Sequence, residues 1–276
     1  MVRIVTDSTC DLTDEQASKL GIDAIAPLYV RFGKQTYEDG RTINTAQFFN
    51  LLKTDPHFPA TSQPSVGDFT TIYERFRGDP IVSIHISRDL SGTIASAEAA
   101  RDLVGGDITV IDSRNVNAGL TLLLVTAASL ARTGATPAQI KTRIEALVPC
   151  TRLIFALDTL ENLRRGGRIG AAQALLGGML QFKPLITVKD GRLEPLERVR
   201  TMQRAITRLS EIALQDINGQ ADPRVCFMHA AALTYAKELM TITTKQKDIA
   251  NPLFIEAGSV VSTHAGPGAV GIAYIS

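Results

Sequence analysis

The fold is decided by the stretch RIVTDSTCDLTDEQASKLG, which occupies residues 3–21. Its residues 3–6 predict a short strand. A helix follows from Thr13, where Gln16 completes a capping box and Gly21 marks the helix end. A strand followed directly by a helix is the repeating unit of proteins with a parallel sheet. Recurrence of this unit along the chain would define an α/β protein.

The strand–helix unit recurs throughout the first half. Further elements are predicted as strands at 22–32, 81–86 and 108–112, and as helices at 65–78, 91–104, 115–132 and 137–147. Such a sheet is largely parallel and covered by helices on both faces. Ligands of these sheets bind beyond the carboxyl ends of the strands. The polar segments 7–9, 87–93 and 112–113 follow three of the strands, so we expect them at one rim.

The second half has a different pattern. Residues 184–199 read as two strands around the turn Asp190-Gly191, which predicts a hairpin and therefore an antiparallel part of the sheet. Other elements are predicted as strands at 153–157, 224–228 and 253–257, and as helices at 202–217 and 231–243. The glycine-rich residues 258–271 are predicted to close the chain as a loop. The expected fold is two α/β domains, 1–150 with a largely parallel sheet and 151–276 with a mixed sheet, with the ligand at or near their interface.

Composition argues against several classes of protein. A net charge of +1 provides no long-range field for nucleic acid. The apolar run at 120–130 is too short and too interrupted to cross a bilayer, and no basic-apolar leader follows Met1. We therefore expect a cytoplasmic protein without a membrane segment. Cys10, Cys150 and Cys226 are odd in number and widely spaced, which predicts neither a disulfide framework nor a metal site.

The apolar residues predict an aliphatic pocket. Aromatic residues make up 5% of the chain and tryptophan is absent, whereas apolar residues make up 45%. The sequence also lacks a phosphate-loop lysine, a G-x-S-x-G elbow and an H-E-x-x-H pair. It is therefore better equipped to hold a charged head group than to break bonds.

Three separate segments carry small hydroxyl, glycine or imidazole groups that suit an anion. Helix capping alone explains Ser65, but Thr61 and Ser62 exceed what capping requires. Ser91-Gly92-Thr93 opens a helix, where glycine lets a ligand oxygen approach free backbone N–H groups. An imidazole in a glycine-rich loop can donate to an anion. The candidate ligand-binding residues are Thr61, Ser62, Ser91, Gly92, Thr93 and His264.

Two further features allow more than one interpretation. Arg164-Arg165-Gly166-Gly167-Arg168 is either a basic lip for phosphate or for an acidic partner surface, or a solvated face. His85 alternates along a predicted buried strand, which favours a hydrogen-bonded core histidine.

Two other classes of function would use the same loops. A serine hydrolase would take Ser91 or Ser62 as its nucleophile and His264 as its base, with Asp7 or Asp112 as the orienting acid. A sugar-phosphate or nucleotide-binding module would place its anion at the same helix starts. The low aromatic content and the missing phosphate loop argue against this second class.

Five motifs in matching order resemble the DegV family over essentially the whole chain. They are VTDSTCDL at 5–12, TSQPS at 61–65, LSGT at 90–93, LENLRRGGRI at 160–169 and HAGPG at 264–268. The resemblance implies a two-domain α/β fold and a bacterial protein that binds a long-chain fatty acid. It also implies that the protein presents the acyl carboxylate to a separate ATP-binding fatty acid kinase subunit, without catalysing the transfer and without another cofactor.

The resemblance further implies roles for single residues. The hydroxyl groups of Thr61 and Ser91 would hold the carboxylate near His264, with Ser62, Gly92 and Thr93 as neighbouring donors. The chain departs from many family members at Arg88-Asp89, just before the LSGT motif, where small residues are usual. This pair is expected to alter the rim of the pocket or its partner.

Overall fold

The computed structural model describes residues 1–175 and 182–276. Within them, the strands are β1 (Arg3–Asp7), β2 (Ala24–Ala26), β3 (Tyr29–Phe32), β4 (Gln35–Glu38), β5 (Ala60–Ser62), β6 (Ile81–His85), β7 (Ile108–Asp112), β8 (Thr151–Ala156), β9 (Lys183–Lys189), β10 (Arg192–Val199), β11 (Val225–His229), β12 (Leu253–Glu256) and β13 (Val270–Ile275). The α-helices are α1 (Asp14–Leu20), α2 (Thr45–Thr54), α3 (Val66–Arg75), α4 (Thr93–Val104), α5 (Asn117–Arg132), α6 (Pro137–Leu147), α7 (Glu161–Arg165), α8 (Met202–Asp216), α9 (Leu233–Thr244) and α10 (Ser259–Ala265).

The first half builds a parallel sheet with the strand order β2-β1-β6-β7. Val5 faces α3 and α4 in one apolar cluster, whereas Ile4 faces α5 in another. Helices therefore cover both faces, as predicted. Parallel strands put their carboxyl ends on one edge, so Asp7, His85 and Asp112 end at the same rim.

The second half builds a six-stranded mixed sheet with the order β10-β9-β8-β13-β11-β12. Only β11 and β12 pair in parallel; the other pairs of this sheet are antiparallel, including the predicted hairpin of β9 and β10. Leu153 and Phe155 point toward α5, while Ile154 and Ala156 point toward α8 and α9. Since α5 contacts strands of both sheets, its apolar face joins the two halves, and the predicted α/β fold class is confirmed.

The single strand predicted at 22–32 is wrong, because these residues form two strands. β2 belongs to the parallel sheet, whereas β3 pairs with β4 and β5 in a separate three-stranded sheet. Pro27 lies between the two strands and has no N–H group to continue a ladder. The break lets β3 bring β5, which contains Thr61, toward the rim of the parallel sheet.

The loop predicted at 258–271 is also wrong. Residues 259–265 form α10, and 270–275 form β13, an inner strand of the six-stranded sheet. Two acids hold the start of α10: the partly buried Asp11 accepts from the Gly258 N–H at 2.9 Å, and the buried Asp39 accepts from the Ser259 N–H at 2.8 Å. These tertiary contacts replace the local signals that a helix usually shows in its sequence.

The three cysteines are free, as predicted. No helix in the described part of the chain is long and apolar enough to cross a bilayer.

Candidate functional site

A cleft lies where the rim of the parallel sheet meets the inner face of the six-stranded sheet. The space between its walls is about 800 Å³, including its open mouth. The apolar walls come from Leu28, Ile86, Leu90, Val116, Leu153, Phe155, Leu163, Leu193, Met228, Val260, Val261 and Ala265.

The walls are aliphatic because each element turns an apolar face inward. Leu153 and Phe155 are alternate residues of β8 and therefore share one face of the sheet. On α10, the cleft-lining positions 260, 261, 264 and 265 recur with the spacing of one helix face. In agreement with the low aromatic content of the sequence, the apolar walls are mainly leucine, isoleucine and valine side chains, with a single phenylalanine.

Polar groups gather at one end of the cleft. The Thr61 hydroxyl lies 2.9 Å from His264 Nε2, although the two residues are 203 positions apart in the chain. Ser62 follows Thr61 on β5, and Ser91 precedes Gly92, which lies beside the Gln63 side chain, so both serines line the cleft near this contact. Strand β5, the start of α4 and the last turn of α10 therefore bring four of the six candidate residues together.

The remaining two candidates lie directly behind this end. The Thr93 hydroxyl is fully buried and lies 2.9 Å from the Ser91 hydroxyl, so it orients Ser91 without lining the cleft. Gly92 precedes α4, and a Cβ atom at this position would lie 2.6 Å from the Gln63 amide nitrogen. The missing side chain therefore lets Gln63, another cleft-lining residue, lie across the start of α4.

His264 is held as a neutral imidazole. Burial and, to a smaller extent, the nearby Arg168 charge lower the pKa of His264 to about 4. Its Nδ1 atom is buried and has no hydrogen-bond partner in the described ranges. Gly166 makes this position possible, because a Cβ atom there would lie 2.2 Å from Nδ1. At neutral pH the ring therefore carries one proton that it can donate.

The three arginines of the LRRGGRI segment have different surroundings. Arg164 forms a 2.7 Å ion pair with Glu161, and the Arg165 guanidinium lies 4.0 Å from the centre of the Phe58 ring. Arg168 lines the cleft and donates to the Leu90 and Gly166 carbonyl oxygens. One arginine thus reaches the polar end, while two remain on the surface beside it.

The groups of a serine hydrolase do not come together at the cleft. Asp7 accepts from His85 Nδ1 and from the Ile86 N–H, and Asp112 pairs with Arg88. Neither acid contacts His264. His85, which also lies 2.7 Å from a serine hydroxyl at position 83, is the hydrogen-bonded core histidine that the sequence favoured. Asp7, Ser83 and His85 are fully buried, so no substrate reaches them.

Some cleft residues were not among the site candidates. Thr9 was placed at the rim by its position after β1, but its hydroxyl donates to Asp7. Asn117, the first residue of α5, lines the cleft with a positive φ of 51° and gave no sequence signal beyond its place near the start of a predicted helix. The acids that hold α10, Asp11 and Asp39, lie outside the cleft, and burial raises the pKa of both carboxyl groups.

The fold and the cleft define a two-domain α/β protein with a mainly aliphatic cleft that ends in hydroxyl and imidazole groups. The chain belongs to the DegV family: a family model described as an uncharacterised protein of the DegV family matches residues 1–276. A DegV domain-containing protein of Deinococcus radiodurans is 39% identical over 274 residues, which cover 99% of this chain and 97% of that protein.

Two solved structures share the fold over nearly their full length. A DegV family protein from Thermus thermophilus, described by its fatty acid binding, has a TM-score of 0.94 and 33% identity, covering 100% of this chain and 99% of its own. A stearic-acid-binding protein from Eubacterium ventriosum has a TM-score of 0.92 and 28% identity, covering 100% of this chain and 98% of its own. These similarities confirm the two-domain fold expected from the sequence.

Proposed function

We propose that this protein binds a long-chain fatty acid in the cleft and presents the acyl carboxylate to a separate fatty acid kinase subunit. The observation that carries the proposal is the contact between Thr61 and the neutral His264 at a polar end of a mainly aliphatic cleft. The fatty acids bound by the Thermus and Eubacterium relatives support the same ligand class.

The polar end has the donors that a carboxylate needs. If His264 Nε2–H donates to the Thr61 oxygen, the Thr61 hydroxyl proton is free to donate to the ligand. Ser91 and Ser62 add two more hydroxyl donors, and Thr93 and Gly92 support them from behind. A carboxylate buried without partners would cost several kcal/mol. The hydroxyl groups therefore remove a penalty and fix the orientation of the head group.

The acyl chain supplies most of the affinity. Burying one methylene gains about 0.8 kcal/mol, so a chain of about fourteen methylenes gains roughly 11 kcal/mol before costs. The loss of translational and rotational freedom cancels much of this gain. Chain length therefore determines the affinity, and the polar end determines where the chain starts.

The phosphoryl transfer itself belongs to a partner. The sequence contains no phosphate-loop lysine motif, so the chain acts as a binding subunit, with no cofactor beyond its fatty acid. The surface arginines Arg164 and Arg165, together with Arg168 at the cleft, form a basic edge beside the head group. This edge suits an acidic surface of an ATP-binding subunit, and we expect both proteins in the cytoplasm.

Lipid extraction tests the ligand class and the head site together. The protein purified from a bacterial host is denatured, extracted with organic solvent and analysed by mass spectrometry. We expect about one fatty acid per chain in the wild type and a large loss in Thr61→Ala/Ser91→Ala. The matched control is Thr36→Ala/Ser18→Ala, which removes the same groups from exposed positions. Absence of lipid from the wild type, with added palmitate and oleate also unbound, would exclude fatty acid binding.

The presenting role has its own readout. With a fatty acid kinase subunit and ATP, the loaded wild type should yield acyl phosphate, and the double variant should not. A loaded protein that gives no acyl phosphate with any such subunit would retain the ligand but refute the presenting role.

A further inference from the structure

Asn117 gives the apolar cleft a second polar position. The residue lines the cleft beside Val116, and 1% of it is exposed. Its Nδ2 group donates to Asp11 Oδ2, so the amide oxygen Oδ1 must face away from Asp11. Oδ1 is buried and has no hydrogen-bond partner within the described residues. The cleft wall therefore contains a buried acceptor that an unsubstituted acyl chain leaves unpaired.

The start of α5 adds donors beside this acceptor. Val116 occupies the cap position and offers no side-chain acceptor to the first turn of this 16-residue helix. The Gly119 and Leu120 N–H groups bond to the Val116 carbonyl oxygen, so the donors left at the positive end of the helix dipole are the N–H groups of Asn117 and Ala118. A ligand group that both donates to Oδ1 and accepts from these N–H groups satisfies both. A hydroxyl group can both donate and accept in this way. A methylene group can do neither, and a carboxylate has no proton to donate to the Asn117 oxygen.

The length of helix α10 gives the approximate separation between Asn117 and the head group. Asp11, the partner of Asn117, also accepts from the Gly258 N–H at the start of α10. His264 lies six residues further along, which corresponds to about 9 Å of helix. Val260 and Val261 line the cleft between these two points. An acyl chain that starts at His264 and follows α10 therefore reaches Asn117 near its middle.

We propose that Asn117 and the start of α5 form a subsite for a mid-chain hydroxyl group, and that the preferred ligand is a long-chain hydroxy fatty acid. The inference rests on the proposed function, because the head group fixes the position of the chain. Thr9, the nearby hydroxyl of the cleft wall, donates its own proton to Asp7 and does not compete as a donor. The ligand hydroxyl donates to Asn117 Oδ1.

Positional isomers test the subsite with the full-length protein after removal of bound lipid. Dissociation constants are measured for stearate, 10-hydroxystearate and 2-hydroxystearate by competition with a fluorescent fatty acid. The two hydroxy acids share one composition, so their difference reports where the hydroxyl lies. We expect the 10-hydroxy isomer to bind about tenfold more tightly than the 2-hydroxy isomer, which equals about 1.4 kcal/mol.

Variants at two neighbouring asparagines test whether Asn117 causes the preference for the 10-hydroxy isomer. Asn117→Gly tolerates the positive φ of this position and should reduce the isomer ratio to about one. Asn115→Ala is the matched control, because Asn115 is equally buried and its Oδ1 is also unpartnered, but it does not line the cleft. Its isomer ratio should equal that of the wild type.

The wild-type ratio decides the proposal even if Asn117→Gly fails to fold. Equal affinities for the two isomers in a wild type that binds stearate would overturn the hydroxyl subsite and leave fatty acid binding intact. Failure of all three acids to bind would overturn both. A preference that persists in Asn117→Gly would remove Asn117 from the subsite.

Discussion

Gly166 shows how one absent side chain shapes the head site. Its φ of −76° suits any residue, so replacement by alanine adds no backbone strain. The added Cβ atom would lie 2.2 Å from His264 Nδ1, and the ring, held by Thr61, has to move. We expect Gly166→Ala to weaken fatty acid binding by roughly thirtyfold, since overpacking of this kind costs about 2 kcal/mol. Competition binding with a fluorescent fatty acid measures the loss.

Alanine replacements at two other glycines serve as comparisons for the effect of Gly166→Ala on fatty acid binding. Gly67→Ala, on α3, meets only the Ser65 hydroxyl at 3.6 Å and should bind like the wild type. Gly92→Ala should cost less than Gly166→Ala, because the Gln63 amide that it meets ends a flexible side chain. Wild-type affinity in Gly166→Ala would mean that the position of the His264 ring does not matter for the head group.

The sequence identifies single candidate residues, but it does not predict which of them contact each other. The motifs identified Thr61, Ser91 and His264 as candidates, because hydroxyl and imidazole groups beside glycine suit an anion. The contact between Thr61 and His264 depends on how β5 and α10 meet across 203 positions. Local patterns contain no information on such a distance, so neither the contact nor the role of Gly166 follows from them.

At the scale of elements, α10 depends on an acid from the other half of the chain. Asp39 accepts from the Ser259 N–H, from the Ser259 hydroxyl and from the Ser8 hydroxyl. Asp39→Ala leaves these donors buried without a partner, so we expect the free energy of unfolding to fall by about 3 kcal/mol. Because α10 carries His264, fatty acid affinity should fall about tenfold at the same time. Urea unfolding and competition binding measure the two quantities.

Two further variants, one conservative and one at a distant exposed site, are the controls for the predicted losses of stability and of fatty acid affinity in Asp39→Ala. Asp39→Asn keeps an oxygen for the Ser259 N–H and should lose about 1 kcal/mol of stability, with most of the affinity retained. The exposed Asp222→Ala should change neither quantity. A destabilised Asp39→Ala that binds fatty acid normally would show that α10 is held in place by other contacts.

Helix α10, which the sequence predicted as a loop, is stabilised by tertiary contacts. The segment Ser-Val-Val-Ser-Thr-His-Ala of α10 is rich in β-branched residues with low helix propensity, and glycines flank it. Asp11 and Asp39 supply the N-terminal acceptors that its own sequence lacks. By contrast, α1 and α3 have a capping box in the sequence, and both begin where that pattern predicts.

At the scale of the whole molecule, the cleft opens within the main apolar cluster. This cluster contains Ile4 of the parallel sheet, Leu123 of α5 and Met228 of the six-stranded sheet, so it spans both halves of the chain. Several of its members, including Leu153 and Leu163, also line the cleft. A bound acyl chain would therefore extend the apolar contacts that join the two halves.

Chain length should therefore control affinity for the protein as a whole. Each added methylene that enters the cleft gains about 0.8 kcal/mol, which is roughly fourfold in the dissociation constant. We expect this increase over saturated acids of rising length until the cleft is full. In Thr61→Ala/Ser91→Ala the affinities should fall by one constant factor with the same dependence on length, since head and tail contacts lie far apart and add independently. Isothermal titration of both proteins with the same series compares the two slopes, and an affinity that does not change with length would show that the acyl chain lies outside the cleft.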